Sequence, residues 1–362
     1  MRVALDEQIF TIQEYGGISR LFFELARQFE RNPELGVEIT PINAEVINRY
    51  LLQDDFLVSK LQLREAKGKY RAMAKYLLRR NSRADVDIVH NTFYLPHGLM
   101  GYAGSKRIVT IHDMIPEMLP KTRRRLDLLT LKSKYIHQAD HIICVSAATR
   151  GDLLRLHPDI DAPITVVHHG VDPIFTPGVP RSSDLPENYI LFVGNRGQYK
   201  DADVLLKAFA MFSVENPATT LLFVGGGEFT SQELSLMKTL GILGKTQHRV
   251  LPDAEMSSAY GNALFTVFPS RFEGFGLPAL ESMACGTPTI LANATSLPEV
   301  GGNAAEYFTP GDPNDLARVM ISLAADSARQ TELARLGTAR ASTFSWERCA
   351  AETADVYRQT LK

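Results

Sequence analysis

The chain alternates between short apolar runs and longer stretches in which apolar residues recur every three or four positions. Short runs of this kind predict buried strands, and the longer stretches predict amphipathic helices. Predicted strands of the first half cover 2–5, 37–42, 86–90, 107–111, 141–145 and 164–168, and its predicted helices cover 18–30, 60–80, 123–138 and 147–156. Predicted strands of the second half lie near 189–193, 220–224, 248–251, 264–268 and 288–291. This alternation predicts an α/β fold whose parallel sheets carry helices on both faces.

Residues 173–187 (PIFTPGVPRSSDLPE) interrupt the alternation, with four prolines and no apolar periodicity. Such a segment predicts a linker, and a length of 362 residues fits two domains. We therefore expect a doubly wound N-terminal domain over 1–172 and a second one over 188–344. Ligands of such sheets bind beyond the carboxyl ends of the strands, so the residues that follow each strand are the candidates for function.

Two glutamates stand eight positions apart after the predicted strand at 264–268. Glu273 lies in a glycine-containing loop, and Glu281 lies in a helix that begins at Leu277. The amides at a helix start carry a partial charge of about +0.5 and can seat a phosphate. Carboxylates repel phosphate, so we expect both glutamates to bind neutral hydroxyls on either side of it. That pattern describes a sugar nucleotide, whereas the alternative is an ordinary loop acid and an exposed helix glutamate.

Charged and polar residues follow other predicted strands. Arg196 and Lys200 lie in the loop after 189–193 and suit the charge that builds on a departing diphosphate, although exposed loop cations are the alternative. His112 and Asp113 follow the strand at 107–111. His90, at the end of the run 86–90, and His97 can line an acceptor site or serve as structural histidines.

A glycine pair, Gly16 and Gly17, stands at the start of the helix predicted over 18–30. It suits a close approach of the backbone to phosphate, but it lacks the G-x-G-x-x-G fingerprint of dinucleotide-binding folds.

The string EGFGLPALE at 273–281, within FPSRFEGFG and followed by ACGTP, resembles the E-x7-E signature of retaining family-4 glycosyltransferases. The resemblance implies the GT-B fold, in which two doubly wound Rossmann-like domains face a central cleft. It also implies that the C-terminal helix, 345–362, packs back on the N-terminal domain. ITVVHHGVD at 164–172 is similar to the family's V-x-N-G-V-D, with Gly170, Val171 and Asp172 keeping the pattern. His169 replaces the asparagine, so no role is carried over to that side chain.

The resemblance further implies individual roles. Glu273 and the amides after it would hold the donor sugar, Glu281 the ribose hydroxyls, and His112 a distal hydroxyl of the sugar. Arg196 and Lys200 would bind the diphosphate. From their positions after predicted strands, and not from the resemblance, we expect Asp113 to orient the acceptor or its loop and His90 to lie on the acceptor side. The backbone positions implied in donor binding are Gly16, Gly17, Val250, Leu251, Gly274, Phe275, Gly276 and Leu277.

VGNRGQYKD, HDMIPE and SLPEVGGNAAEYF look most like bacterial mannosyltransferases of surface polysaccharide synthesis. The resemblance thus implies retaining transfer of mannose from GDP-mannose to a glycan or lipid-linked acceptor, with UDP-hexose and rhamnose donors left open. It implies no cofactor and no metal, and we interpret the Asp-x-Asp triplets at 85–87, 159–161 and 201–203 as structural. A glycoside hydrolase, a sugar-nucleotide epimerase and a non-catalytic sugar-binding protein are the alternatives.

Composition and charge indicate the cellular compartment of the protein. The net charge is −2, and the three cysteines, Cys144, Cys285 and Cys349, are widely spaced in apolar surroundings, which is typical of free thiols in a reducing compartment. No signal peptide or membrane span is predicted, so we expect a cytoplasmic protein.

Basic residues concentrate in LREAKGKYRAMAKYLLRR and KTRRRLDLLTLKSK. The first predicts a basic amphipathic helix that can lie on the inner face of an anionic membrane, or a solvated helix face, and neither stretch favours nucleic acid.

Overall fold

The computed structural model describes residues 1–78, 85–99, 102, 104–119 and 123–362. These residues form two compact units. Unit 1 comprises Met1–Gly170 and Trp346–Lys362, and unit 2 comprises Val171–Ser345. The proline-rich segment 173–187 is thus part of unit 2, and the last helix of the chain is part of unit 1.

Unit 1 is built on a six-stranded parallel sheet. Its strands are β1 Arg2–Leu5, β2 Glu38–Ile39, β5 Ile88–Asn91, β6 Lys106–Ile111, β7 His141–Cys144 and β8 Ile164–Val166, with a small parallel pair, β3 Glu45–Val46 and β4 Arg64–Glu65. Its helices are α1 Gln8–Ile12, α2 Gly17–Arg31, α3 Arg49–Leu52, α4 Asp55–Lys60, α5 Lys69–Leu78, α6 Ile115–Met118, α7 Arg123–His137, α8 Ala147–Leu156 and α16 Trp346–Thr360, with 3-10 turns at Pro33–Leu35 and Pro96–Leu99. The strand order is β2-β1-β5-β6-β7-β8.

Unit 2 repeats this plan with a second six-stranded parallel sheet. Its strands are β9 Tyr189–Val193, β10 Thr220–Val224, β11 Thr246–Arg249, β12 Phe265–Phe268, β13 Thr289–Ala292 and β14 Glu306–Phe308. Its helices are α9 Ala202–Glu215, α10 Ser231–Thr239, α11 Asp253–Gly261, α12 Leu277–Ala284, α13 Leu297–Gly301, α14 Pro313–Ala325 and α15 Ser327–Ala341, with 3-10 turns at Gln198–Lys200 and Leu243–Lys245.

The strand order of unit 2, β11-β10-β9-β12-β13-β14, is that of a Rossmann fold. The direction of winding reverses between β9 and β12, which pair in parallel with Phe265 opposite Ile190. A reversal of this kind opens a crevice at the carboxyl ends of the two strands, where ligands of doubly wound sheets bind. The fold therefore directs attention to the loops that follow β9 and β12.

The long helix predicted over 60–80 is wrong in its first part. The residues after α4 instead form β4, and the helix begins only at Lys69. Gly68 has a φ of 93°, in the left-handed region, which separates the two segments. The basic residues Arg79 and Arg80 of the same prediction lie outside the described residues. The two-residue strands β3 and β4 are too short to show a period of two.

The last helix contributes to the core of unit 1. Along α16, Trp346 and Tyr357 are buried, and Tyr357 packs against Phe29 of α2 with ring centroids 5.8 Å apart. The Tyr357 hydroxyl lies 2.7 Å from Nδ1 of His90, the third residue of β5, whose Nε2 lies 2.8 Å from the hydroxyl of Thr110 on β6. The end of the chain is thus bonded to the middle of the sheet.

Buried histidines in unit 1 stay neutral. Burial lowers the pKa of His90 from 6.5 to about 3, and burial together with His168 lowers the pKa of His169 to about 3. A neutral imidazole inside the core must take up a proton once the chain unfolds at acidic pH.

We therefore expect the free energy of unfolding of unit 1 to fall between pH 7 and pH 5. The pKa of each histidine is depressed in the folded state, so the stability is fully present above the unfolded pKa of about 6.5 and is lost as pH falls toward 3. Each group contributes up to about 1.4 kcal/mol per pH unit in that window. Trp346 is the single tryptophan and belongs to unit 1, so urea titrations followed by its fluorescence measure the free energy of unfolding of that unit. A His90→Gln variant with an unchanged pH slope would contradict this explanation.

Among the described helices, none combines the length and the apolar character needed to cross a bilayer.

Candidate active site

The two loops at the switch point of unit 2 are joined by an ion pair. Lys200, at the end of the loop after β9, places its Nζ 2.5 Å from Oε1 of Glu273, in the loop after β12. The side chains are 16% and 13% exposed. Two residues predicted to contact the donor from separate loops therefore meet at the carboxyl edge of the sheet.

A second connection supports the first. Asp201 is buried and has a φ of 48°, and its Oδ1 accepts from Nε of Arg271 at 2.9 Å. The amide of Arg271 in turn donates to the carbonyl of Tyr199 at 2.8 Å. These contacts bracket Lys200 and Glu273 and fix the spacing of the two loops. The sequence offered no sign of Arg271 in this role.

A third loop, after β13, holds the backbone around Glu273. The amide of Glu273 donates to Oγ1 of Thr295 at 3.0 Å. The hydroxyl of Ser296 donates to the carbonyls of Glu273 at 3.0 Å and of Phe275 at 2.8 Å. Thr295 and Ser296 were not predicted. They do follow the end of β13, and residues that follow strands are candidates for function in this type of sheet.

Helix α12 begins directly after this loop. Gly276 has a φ of 110° and stands at the N-cap position, where it brings no side chain to cap the first turn. A Cβ atom there would lie 3.1 Å from Cδ2 of Leu297, so both conformation and space favour glycine. The first turn contains no acidic residue. Its amides and the helix dipole therefore present positive potential at the carboxyl edge of the sheet.

The residues between the glutamates serve different purposes. The Phe275 side chain is buried and packs edge-on against Phe344, with centroids 5.9 Å apart, so this residue can offer a ligand only its backbone. Glu281 lies one turn into α12, where its Oε2 accepts from the hydroxyl of Tyr260 at 2.8 Å. Burial, and then Glu281, raises the pKa of Tyr260 well above its usual value, so the phenol remains a donor. Tyr260 was missed because a single tyrosine in α11 has no distinguishing pattern.

Arg196 lies in a different setting from the one expected. Its side chain is 5% exposed, and its guanidinium donates to Glu233 at 2.7 Å and to the carbonyls of Gly225 at 3.0 Å, Gly227 at 2.7 Å and Glu228 at 2.8 Å. Most of its donors are thus used to hold the loop after β10. In this structure Arg196 shapes a glycine loop and does not present an open cation beside Lys200.

Val250 and Leu251 follow β11 at the same edge of the unit 2 sheet. The side chain of Val250 is exposed. The three glycines at 225–227 all have φ values between 74° and 87°, which any other residue would adopt only with strain.

In unit 1, His112 follows β6 and is 9% exposed. Neither ring nitrogen has a hydrogen-bond partner among the described residues, and the ring meets that of Phe22 edge-on at 5.9 Å. Burial, followed by His169, His90 and Lys132, lowers the pKa of His112 well below 6.5. A neutral imidazole with two unsatisfied nitrogens is suited to bind a hydroxyl, because leaving both unpaired is costly.

Asp113 orients its own loop. Its Oδ1 accepts from the amide of Ile115 at the start of α6, at 3.1 Å. Its carbonyl accepts from Nζ of Lys132 at 2.6 Å, and this buried lysine also lies 3.0 Å from Glu117. The Lys132–Glu117 pair was not predicted. It connects α7 to the loop that carries His112.

Gly16 and Gly17 stand at the start of α2, as the sequence indicated. The Oε1 atom of Gln13 accepts from the amide of Ser19 at 2.9 Å, so a side-chain carbonyl caps the first turn of this helix. A Cβ atom on Gly16 would lie within 3 Å of the Gln13 side chain. The glycine therefore makes room for the cap, a function that its sequence pattern did not reveal.

The expectation for His90 needs correction. Its ring is completely buried, and both nitrogens are bonded inside the core, to Tyr357 and Thr110. It is a structural histidine that an acceptor cannot reach, which was the alternative interpretation. The side chain of His97 lies outside the described residues.

Comparisons with known proteins identify the family of this chain. The family model of glycosyl transferases group 1 matches residues 180–340, and that of glycosyltransferase family 4 matches residues 15–175. The O-antigen chain mannosyltransferase B of Escherichia coli is 32% identical over 294 residues, which cover 74% of this chain and 72% of that protein. The MMP alpha-(1->4)-mannosyltransferase of Mycolicibacterium hassiacum is 30% identical over 302 residues, covering 77% and 72%.

A solved structure extends the match to the fold. Sucrose-phosphate synthase from Thermosynechococcus elongatus superposes with a TM-score of 0.73 at 20% identity, covering 99% of this chain and 98% of that one. The chain belongs to glycosyltransferase family 4 and is a GT-B glycosyltransferase of glycan biosynthesis, similar to the mannosyltransferases of that family.

Proposed function

We propose that this enzyme transfers mannose from GDP-mannose, with retention of configuration, to a hydroxyl of a glycan or lipid-linked acceptor during surface polysaccharide synthesis. The observation that carries the proposal is the Lys200–Glu273 pair beside the start of α12. It combines a cation, a carboxylate and a helix N-terminus at the switch point of a Rossmann sheet. The choice of mannose is supported by the relatives, since both proteins described above are mannosyltransferases.

Lys200 is the direct cation of the diphosphate in this proposal. A diphosphate at the start of α12 attracts the ammonium group, which then shares its hydrogen bonds between Glu273 and the phosphate oxygens. Negative charge on the leaving diphosphate grows as the bond to the sugar breaks, so the fixed ammonium and the helix amides stabilise the transition state more than the bound donor. Arg196 contributes by holding the loop at 225–228, because most of its guanidinium donors are used there.

The carboxylates recognise hydroxyls on either side of the diphosphate. Glu273 accepts from hydroxyls of the sugar, and its backbone is already fixed by Thr295 and Ser296. Glu281 accepts from the ribose hydroxyls while the Tyr260 hydroxyl holds its orientation. For His112 of unit 1 we propose a bond to a sugar hydroxyl, which is supported by its neutral, buried and unsatisfied ring.

The residues provide the required charges without a metal ion. One ammonium group and the amides of α12 offset the charge of the diphosphate, and the departing phosphate oxygen is itself basic enough to take the proton of the acceptor hydroxyl. In this scheme the new bond forms on the face from which the diphosphate leaves, which retains the configuration. Asp113 keeps its loop in place on the acceptor side through the bond to Ile115.

Peripheral binding to an anionic membrane is a further part of the proposal, since the acceptor can be lipid-linked. In α5, Lys69 and Tyr70 are exposed, the tyrosine to 86%, and Lys67 is exposed just before the helix. Each cation near an anionic surface contributes about 1 kcal/mol, and an exposed tyrosine suits the interfacial region.

A thermal-shift screen of nucleotides tests the donor assignment. GDP and GDP-mannose should raise the melting temperature, because a ligand at 100 times its Kd stabilises the folded state by about 2.7 kcal/mol. Lys200→Met should lose most of the shift, whereas Lys207→Met, an exposed lysine on α9 paired with Asp203, should keep it. A rise in melting temperature with UDP alone would show that the donor is a UDP-sugar and not GDP-mannose. No shift with any nucleoside diphosphate would contradict the site itself.

Vesicle co-sedimentation tests the membrane proposal. The protein should bind vesicles containing phosphatidylglycerol and not vesicles of phosphatidylcholine alone, because the attraction is electrostatic. Replacing Lys67 and Lys69 together with glutamate should weaken binding at least about tenfold, as the loss of about 1 kcal/mol per cation requires. Lys207→Glu serves as the control for overall charge. Equal binding by both variants would mean that the helix does not mediate attachment.

A further inference from the structure

Two histidines and an aspartate lie together on the surface of unit 1. His137 is the last residue of α7, His157 follows α8, and Asp159 lies in the loop that leads to β8. One ligand atom from each lies within 4.8 Å of the others. In a parallel sheet the loops that lead into strands lie at the amino edge, so this cluster is at the edge opposite to the one where doubly wound folds bind substrates.

The distances in the cluster suit a small metal ion. Nε2 of His137 lies 3.1 Å from Oδ2 of Asp159. Tetrahedral Zn²⁺ binds nitrogen and oxygen at about 2.0–2.2 Å, so two of its ligand atoms are about 3.3 Å apart. The rings of His137 and His157 have centroids 5.6 Å apart at an angle of 68°, so they do not stack. All three ligand atoms lie within 4.8 Å of one another, so His157 would complete a three-ligand site if its ring nitrogen moved to the same spacing.

The other nitrogen of His137 already makes the contact that metal-binding histidines make. Its Nδ1 lies 2.8 Å from the carbonyl oxygen of Ser133, one turn earlier in α7. A carbonyl only accepts, so Nδ1 carries the proton and Nε2 is the atom directed toward Asp159. A backbone carbonyl on the second nitrogen fixes the ring and raises the basicity of the first, as is usual for histidine ligands.

We propose that His137, His157 and Asp159 bind a divalent transition-metal ion, specifically Zn²⁺, with water completing the tetrahedron. Two imidazoles and one carboxylate suit zinc, whereas calcium and magnesium prefer sites made of oxygen ligands. The ion would fasten the end of α7 to the loop between α8 and β8. It takes no part in sugar transfer, because the cluster lies at the amino edge of the sheet.

Helix α7 carries both the proposed metal ligand His137 and a lysine that contacts the loop of His112. Lys132, five residues before His137 on the same helix, donates to the carbonyl of Asp113, next to His112. Fixing the end of α7 therefore stabilises the helix that supports the His112 loop. The alternative role of the cluster is a simple surface ion pair between His137 and Asp159, which would add little to stability.

Zinc binding to the full-length chain, without an affinity tag and after treatment with a chelator, tests the proposal. Isothermal titration with ZnCl2, with metal content measured after gel filtration, should show one equivalent bound, and Zn²⁺ should raise the melting temperature. His137→Ala and His157→Ala should each weaken this binding at least tenfold and abolish the thermal shift. Melting temperatures without zinc establish that the variants are folded.

Asp161→Asn is the matched control, since it removes an exposed carboxylate from the same loop without touching the cluster. It should bind zinc like the parent protein, whereas Asp159→Asn should not. Stoichiometric binding that survives both histidine replacements would overturn the proposed ligand set. An absence of binding at 100-fold excess metal would leave the cluster as an ion pair only and would equally overturn it. Neither result depends on the identity of the sugar donor.

Discussion

The contact between Lys200 and Glu273 is the interaction on which the rest of the site depends. It exists because the strand order of unit 2 places the ends of β9 and β12 next to each other, at the point where the winding reverses. The loops that follow would otherwise be independent. The Asp201–Arg271 pair and the hydroxyls of Thr295 and Ser296 fix their spacing, and a short ion pair between partly buried side chains results.

Placing the Lys200–Glu273 pair in a partly buried position costs desolvation free energy. Removing a lysine and a glutamate from most of their water is unfavourable, and their mutual attraction compensates for it. In the proposed complex, a diphosphate would offer the ammonium group of Lys200 additional oxygens, and the sugar would offer the carboxylate of Glu273 a hydroxyl. Because the two charges are already positioned in the free protein, little reorganisation would be needed when charge develops on the leaving group. Family membership also removes the hydrolase, epimerase and non-catalytic alternatives that two glutamates alone had left open.

The parts of the site that could be predicted from sequence are those that local pattern determines. The strands that lead to Lys200 and Glu273 are continuous apolar runs, and the glycine before α12 is required by its left-handed conformation. The supporting residues could not be predicted in the same way. Tyr260, Arg271 and Ser296 act through contacts between elements far apart in sequence, and nothing in their immediate neighbours distinguishes them.

The environments of Arg196 and His90 could not be predicted from the sequence either. Arg196 follows a strand end as a phosphate ligand would, but its guanidinium donates to the carbonyls of Gly225, Gly227 and Glu228, which only the folded chain brings to it. His90 lies inside β5, where every residue is buried, and its partner Tyr357 comes from a helix at the other end of the chain.

A crystal structure of the protein with a nucleoside diphosphate bound would test directly whether Lys200 and the start of α12 hold the diphosphate. We predict that an oxygen of the terminal phosphate lies about 3 Å from Nζ of Lys200 and from an amide of the first turn of α12, with the ribose hydroxyls at Glu281. A diphosphate bound elsewhere, with Lys200 still bonded to Glu273 alone, would contradict it.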